Sequence, residues 1–143
     1  MEQPEPQAPH PALLAMLVCD QAIREVGTNR VTLVSIFNNI AASRFPFAYR
    51  APLAVYARLT DAAGAYRFRL ELVRQEDEHA IGQADVETTI PDRMGTHELT
   101  FQIRAIDFER PGRYEWRLFA NGRYLGSMVM VVVDATQQEE EEA

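Results

Sequence analysis

The sequence predicts an all-β protein, an antiparallel β-sandwich of about eight strands, and three observations carry that prediction. Period-two alternation runs through the last third of the chain, where Tyr114, Trp116 and Leu118 interleave with Glu115 and Arg117. Successive side chains of a strand point to opposite faces, so this segment is a half-buried strand. Asn121-Gly122 follows, the dipeptide that supplies two positive φ angles to a tight type I′ turn between strands. Short apolar runs with turn residues between them fill the rest of the chain, and none sustains a helical period.

The elements follow in order. Residues 1 to 11 are proline-rich and polar and are expected to form a disordered or extended arm. The apolar run from Ala12 to Val18 before Cys19 has acidic and proline-rich flanks instead of positive ones, and Val18 stands where a small residue would precede cleavage, so it is not expected to be a secretory leader. It is also far too short to span a bilayer. It reads as a buried strand, Leu13 to Cys19, followed by a helical turn over Asp20 to Val26. Further strands are expected over Arg30 to Phe37, Leu53 to Thr60, Tyr66 to Gln75, Ile81 to Ile90, Leu99 to Ile106, Tyr114 to Ala120 and Tyr124 to Val133. One domain then spans residues 12 to 135, and residues 136 to 143 form a disordered acidic tail. Neither terminal segment carries apolar residues that could pack, so both are expected to be dispensable for stability.

Alternation also suggests which strands pair. With Asp61-Ala62-Ala63-Gly64 as a hairpin loop, Leu59 faces Tyr66, Ala57 faces Phe68, Val55 faces Leu70 and Leu53 faces Leu72, and every inward pair is apolar. The same register gathers Tyr56, Arg58, Arg67 and Arg69 on one outward face. In the following hairpin Ala84 is set opposite Leu72, Val86 opposite Leu70 and Glu87 beside Arg69. Pairing across Asn121-Gly122 sets Phe119 opposite Tyr124, Glu115 opposite Met128 and Arg113 opposite Met130. If Tyr114, Trp116, Leu118, Leu125, Val129, Val131 and Val133 take the core, then Phe119, Tyr124, Met128, Met130 and Val132 are left needing another cover.

Composition narrows the function. The chain has 143 residues, 14 arginines and no lysine, which excludes a P-loop lysine, a Schiff base and a lysine general base. The net charge of −7 is concentrated in Glu2, Glu5 and Glu139 to Glu142; without those six the body stands at −1. Such a body has no field to draw in nucleic acid, and an acidic tail repels phosphates. The single cysteine, Cys19, forms no internal disulfide, which fits a reducing compartment, the cytoplasm.

Two resemblances attach to particular residues. Gly112-Arg113-Tyr114 resembles the corner of immunoglobulin-like sandwiches, where a tyrosine ties its hydroxyl back to nearby backbone, and Trp116 stands where antibody domains place their second cysteine. Cys19-Asp20, then Thr32 to Ile40 with Ile36-Phe37-Asn38 within it, then Phe45-Pro46, is similar to a bacterial family of small uncharacterised proteins. That resemblance implies a fold and a bacterial origin and no activity.

No catalytic constellation is expected. The histidines are His10 in the arm, His79 in a loop and His97 just before a strand, and Cys19 ends an apolar strand as a small buried hydrophobe. Glu76-Asp77-Glu78-His79 offers four ligand types in a row, but adjacent residues do not converge as spaced metal ligands do. No metal and no cofactor is therefore expected. Two surfaces remain: a carboxylate-docking patch of Tyr56, Arg58, Arg67 and Arg69, alternatively an internal salt-bridge network, and a partner interface of Phe119, Tyr124, Met128, Met130 and Val132. The expected function is a non-enzymatic protein-interaction or assembly module that meets a protein partner or a second copy, a dimer being the simplest closed form. A carbohydrate- or small-ligand-binding sandwich is the alternative, and a hydrolase has the least support.

Overall fold

In the computed structural model, which describes residues 8 to 136, each period-two segment becomes a strand. Eleven strands form among the described residues: β1 (Ala12–Arg24), β2 (Val31–Ile36), β3 (Asn39–Ala42), β4 (Phe47–Tyr49), β5 (Leu53–Thr60), β6 (Gly64–Arg74), β7 (His79–Ile90), β8 (Thr96–Ile103), β9 (Ile106–Phe108), β10 (Gly112–Ala120) and β11 (Arg123–Asp134). The three beyond the expected eight, β3, β4 and β9, are three or four residues long, too short for alternation to show. The turn expected over Asp20 to Val26 is not helical. β1 instead continues to Arg24, because Gln21 pairs with Val34 and Ile23 with Thr32.

One sheet has the order β2-β1-β5-β8 and a second β3-β11-β10-β6-β7, with β4 and β9 forming a separate pair. Among the described residues β3 with β11 is the one parallel pairing. Both sheets feed one core: Val18, Val55 and Leu59 from the first meet Phe68, Leu70, Tyr114 and Leu118 from the second. Among the described residues, no helix is long and apolar enough to cross a membrane.

The hairpin expected between β5 and β6 does not form. β5 pairs with β1 and β8, and β6 pairs with β10 and β7, so the chain crosses from one sheet to the other at Asp61 to Ala63. Leu53, Val55, Ala57 and Leu59 are buried, as are Tyr66, Phe68, Leu70 and Leu72. Alternation fixes the face that a residue takes; it is equally satisfied whether two apolar faces lie side by side or opposite one another. The β6–β7 hairpin does form, with Leu70 opposite Ala84, Phe68 opposite Val86 and Arg69 opposite Asp85. This register is two residues from the expected one, which leaves the side chains paired from Gly64 to Leu72 on their expected faces.

Residues 8 to 11, expected within a disordered arm, lie against the domain. Ala8 packs on the core and Pro11 is buried. The Tyr66 hydroxyl donates to the Pro9 carbonyl at 2.6 Å and accepts from the Ala63 N–H at 3.0 Å. The acidic tail beyond Thr136, like residues 1 to 7, lies outside the described residues.

The final hairpin turns as its sequence requires, with φ of 49° at Asn121 and 81° at Gly122. Leu125 is then an extra residue between the pairs Phe119–Tyr124 and Leu118–Gly126, and such a bulge exchanges the faces of everything beyond it. Gly126 faces β1 so closely that a Cβ there would fall 2.5 Å from the Leu13 side chain. At the other end of β10 the Tyr114 hydroxyl donates to the Arg110 carbonyl at 2.7 Å, and its ring meets Phe108 edge-on at 5.1 Å.

Trp116 is 3 % exposed, and its indole N–H has no partner among the described residues. Its contribution to stability is therefore apolar. Trp116→Ala is expected to destabilise the fold by about 3–5 kcal/mol, the cost of deleting a large core aromatic. Chemical denaturation checks this, and native tryptophan emission typical of a water-exposed indole would contradict it.

Candidate functional site

The expected carboxylate-docking patch is divided by the β5–β6 crossing. Tyr56 and Arg58 belong to the first sheet, where Arg58 lies opposite Ala15 and Glu98. Arg67 and Arg69 belong to the second, opposite Glu87 and Asp85. Arg58 and Arg67 are thus never neighbours. Arg69 Nε meets Asp85 Oδ1 at 2.9 Å and Arg67 Nε meets the same oxygen at 3.7 Å, an exposed arrangement that stabilises little and in which two guanidiniums share one carboxylate. Tyr56 is only 8 % exposed and donates its hydroxyl to Glu98. Burial, and then that bond to Glu98, push its pKa up to about 12, so it is a neutral donor at physiological pH.

The expected interface on the final hairpin is also taken apart, here by the Leu125 bulge. Met130 and Val132 are 0 % and 1 % exposed in the core, opposite Tyr114 and Gly112, and Met128 packs half-buried against it opposite Trp116. Val129, Val131 and Val133, expected inside, take the other face and are half-buried. Phe119 and Tyr124 remain outside as an edge-on pair 5.8 Å apart, with Tyr124 52 % exposed.

The largest concentration of exposed apolar side chains lies elsewhere. Among the described residues, eight large apolar side chains are exposed, and four of them, Ile23, Val26, Val34 and Ile36, belong to the ribbon made by the end of β1, its turn and β2. Pairing Cys19 with Ile36, Gln21 with Val34 and Ile23 with Thr32 aligns Ile23, Val34 and Ile36 on one face. Among the described residues β2 is the outermost strand of its sheet, and one side of its backbone has no neighbouring strand. Ser35, between Val34 and Ile36, has a φ of 55°, a left-handed conformation that a serine adopts at a cost of the order of 1 kcal/mol. Sequence reading missed this surface, since Val34 and Ile36 in an apolar run look like core.

The candidates for chemistry stay apart. Cys19 is fully buried, its thiol donating to the carbonyls of Gln21 at 3.3 Å and Ala54 at 3.6 Å, and burial raises its pKa. Cys19 lies beside Ala54 and Ala54 beside Gln102, and the strand from Gln102 to His97 is about 17 Å long. No thiol–imidazole pair can form over that span. In the acidic turn, Glu76 meets Arg110 at 3.2 Å, Asp77 meets Arg74 at 2.7 Å and Glu78 meets Arg117 at 2.8 Å. Among the described residues no group of three His, Cys, Asp or Glu side chains could hold a metal ion.

Arg74 is the one buried charged residue among those described, with its side chain 6 % exposed, and it grips Asp77 through Nε at 2.9 Å and Nη2 at 2.7 Å. Glu109 approaches the same guanidinium at 3.6 Å. One side chain therefore ties the β6–β7 turn to the loop before β10.

A model of the DUF6941 family, a family of unknown function, matches residues 14–133, and the chain belongs to that family. No curated protein matches the sequence. Membership agrees with the likeness to an uncharacterised family read from Cys19 to Pro46.

The Arg74 hydrogen bond lowers the Asp77 carboxyl from an ordinary 3.8 to about 2. A depressed carboxyl stabilises the fold above its unfolded pKa, and that contribution drains away as pH falls through the folded one. Asp77→Asn is therefore expected to destabilise at about pH 7, and to approach wild-type stability as the pH falls to about 2. Denaturation curves across this range check it, and a gap that persists undiminished at the acid end would contradict it.

Proposed function

We propose that this protein is a non-enzymatic interaction or assembly module that binds a protein partner, in the simplest case a second copy of itself, through the β1–β2 ribbon. The observation that carries this reading is the gathering of Ile23, Val26, Val34 and Ile36, half of the large exposed apolar side chains described, on one ribbon at a sheet edge. Soluble proteins usually bury contiguous apolar surface in a partner. An edge strand adds a main-chain ladder to that contact, the mode in which a second strand extends a sheet.

The same proposal takes the two facing sheets as a sandwich with an immunoglobulin-like corner at Tyr114, supported by its hydroxyl bond to Arg110. A bacterial origin and a cytoplasmic setting belong to the proposal as well, the latter supported by the unpaired, buried Cys19. The carbohydrate reading has less support, because Tyr56 is buried against Glu98 and only Phe119 and Tyr124 remain as an aromatic pair on the opposite sheet.

The experiment is Val34→Glu combined with Ile36→Glu. Both side chains are exposed, so the variant is expected to keep its melting temperature within about 4 °C of wild type while losing the self-association or the specific partner that wild type shows by sedimentation and pull-down. A wild type that sediments as a monomer at micromolar concentration and retains no partner would contradict the reading.

A further inference from the structure

We propose that a groove beside the ribbon binds a run of carboxylates, and that its occupant is the acidic C-terminal segment of the same chain, Glu139 to Glu142. The groove, of about 720 Å³, lies between the end of β1, the start of β5 and the end of β8. Three arginines line it, Arg24, Arg50 and Arg104, against the single carboxylate of Asp20. Of these three, only Arg50 is ion-paired among the described residues, to Asp107 at 3.1 Å. Arg24 donates to the Asn29 side-chain and backbone oxygens at 3.1 and 3.3 Å, neutral acceptors that leave its charge uncancelled. Arg104 is exposed and meets no carboxylate among the described residues.

On the second sheet Arg67 and Arg69 share Asp85, Arg74 has Asp77, and Arg117 has Glu78 and Glu115, while Arg113 and Arg123 meet no carboxylate among the described residues. The groove sets three arginines against one carboxylate, while the chain holds four consecutive glutamates at residues 139 to 142. The carboxylate-binding chemistry expected of Arg58, Arg67 and Arg69 passes to a different set of arginines.

The path of the chain brings the two together. β11 finishes beside β3, with Asp134 paired to Ala42 and the Thr136 hydroxyl donating to the Ser43 carbonyl at 3.5 Å. From Ser43 the chain passes through β4 directly to Arg50. The start of β10, which pairs Gly112 with Val132, lies at the same end of the fold, shortly after Arg104. The six residues that follow Thr136, up to Glu142, can reach at most about 20 Å, against sheets about 10 Å apart. Exposed ion pairs are individually weak, but tethering gives the tail an effective concentration on the order of millimolar. Several weak contacts then suffice.

The test uses the full chain and a variant with Glu139, Glu140, Glu141 and Glu142 all changed to Gln, compared by backbone amide NMR. The inference predicts shifts at Ala22, Ala51, Gln102 and Arg104 between the two, independent of protein concentration and lost at about 1 M salt, where charges are screened beyond about 3 Å. With Arg24→Gln and Arg104→Gln in place, neutralising the tail is expected to change those resonances no further. Arg123→Gln, at the opposite end of the fold, is expected to leave the tail's effect intact. Changes confined to the tail itself, or equal in the Arg24/Arg104 and Arg123 variants, would overturn the inference. Shifts that grow with protein concentration would overturn it too, by giving the groove to the tail of a second copy.

Discussion

The rest of the structure depends on the crossing from β5 to β6. At Asp61 to Ala63 the chain leaves one sheet and enters the other, so the apolar faces of two successive strands meet across the core instead of standing side by side. Three features hold the crossing in place. Asp61 takes a left-handed φ of 60°, Ala62 is buried, and the Tyr66 hydroxyl bonds both the Ala63 N–H and the Pro9 carbonyl. From this follow the two outer faces, each with its own arginines, and the seat for residues 8 to 11.

Each outer face then solves its charge problem differently. On the second sheet the neighbouring strand or turn supplies a carboxylate for Arg67, Arg69, Arg74 and Arg117. Such pairs contribute little stability where exposed. The first sheet carries an apolar ribbon at its edge and, beside it, a groove lined with three arginines. A partner that covers the ribbon would also lie close to the groove, since Ile23 and Arg24 are shared between them.

Much of this fold was legible in the sequence, and the reasons for the exceptions are physical. Strand positions and inward faces followed from period-two alternation, and the Asn121-Gly122 turn from its two positive φ angles. Strand neighbours did not follow, because alternation leaves open whether Leu59 and Tyr66 are paired or opposed. A single bulge residue, Leu125, moved Met128, Met130 and Val132 from an expected interface into the core. Arg74 was invisible for the opposite reason: an arginine near a strand end reads as solvent-facing, and only the fold brings Asp77 and Glu109 around it. The ribbon was missed because Val34 and Ile36 have the composition of core. Their exposure comes from the edge position of β2.

The placement of β5 and β6 in different sheets is the central claim, and cross-strand NOEs between backbone protons test it most directly. Protons about 2–3 Å apart in an antiparallel ladder belong to strands that lie about 4.8 Å from each other, whereas facing sheets stand about 10 Å apart. The account predicts NOEs linking Arg58 with Glu98, Tyr56 with Thr100 and Arg67 with Glu87, as in the observed register. A ladder joining Arg58 to Arg67 and Ala57 to Phe68 would contradict it, and would return all four patch residues to a single face.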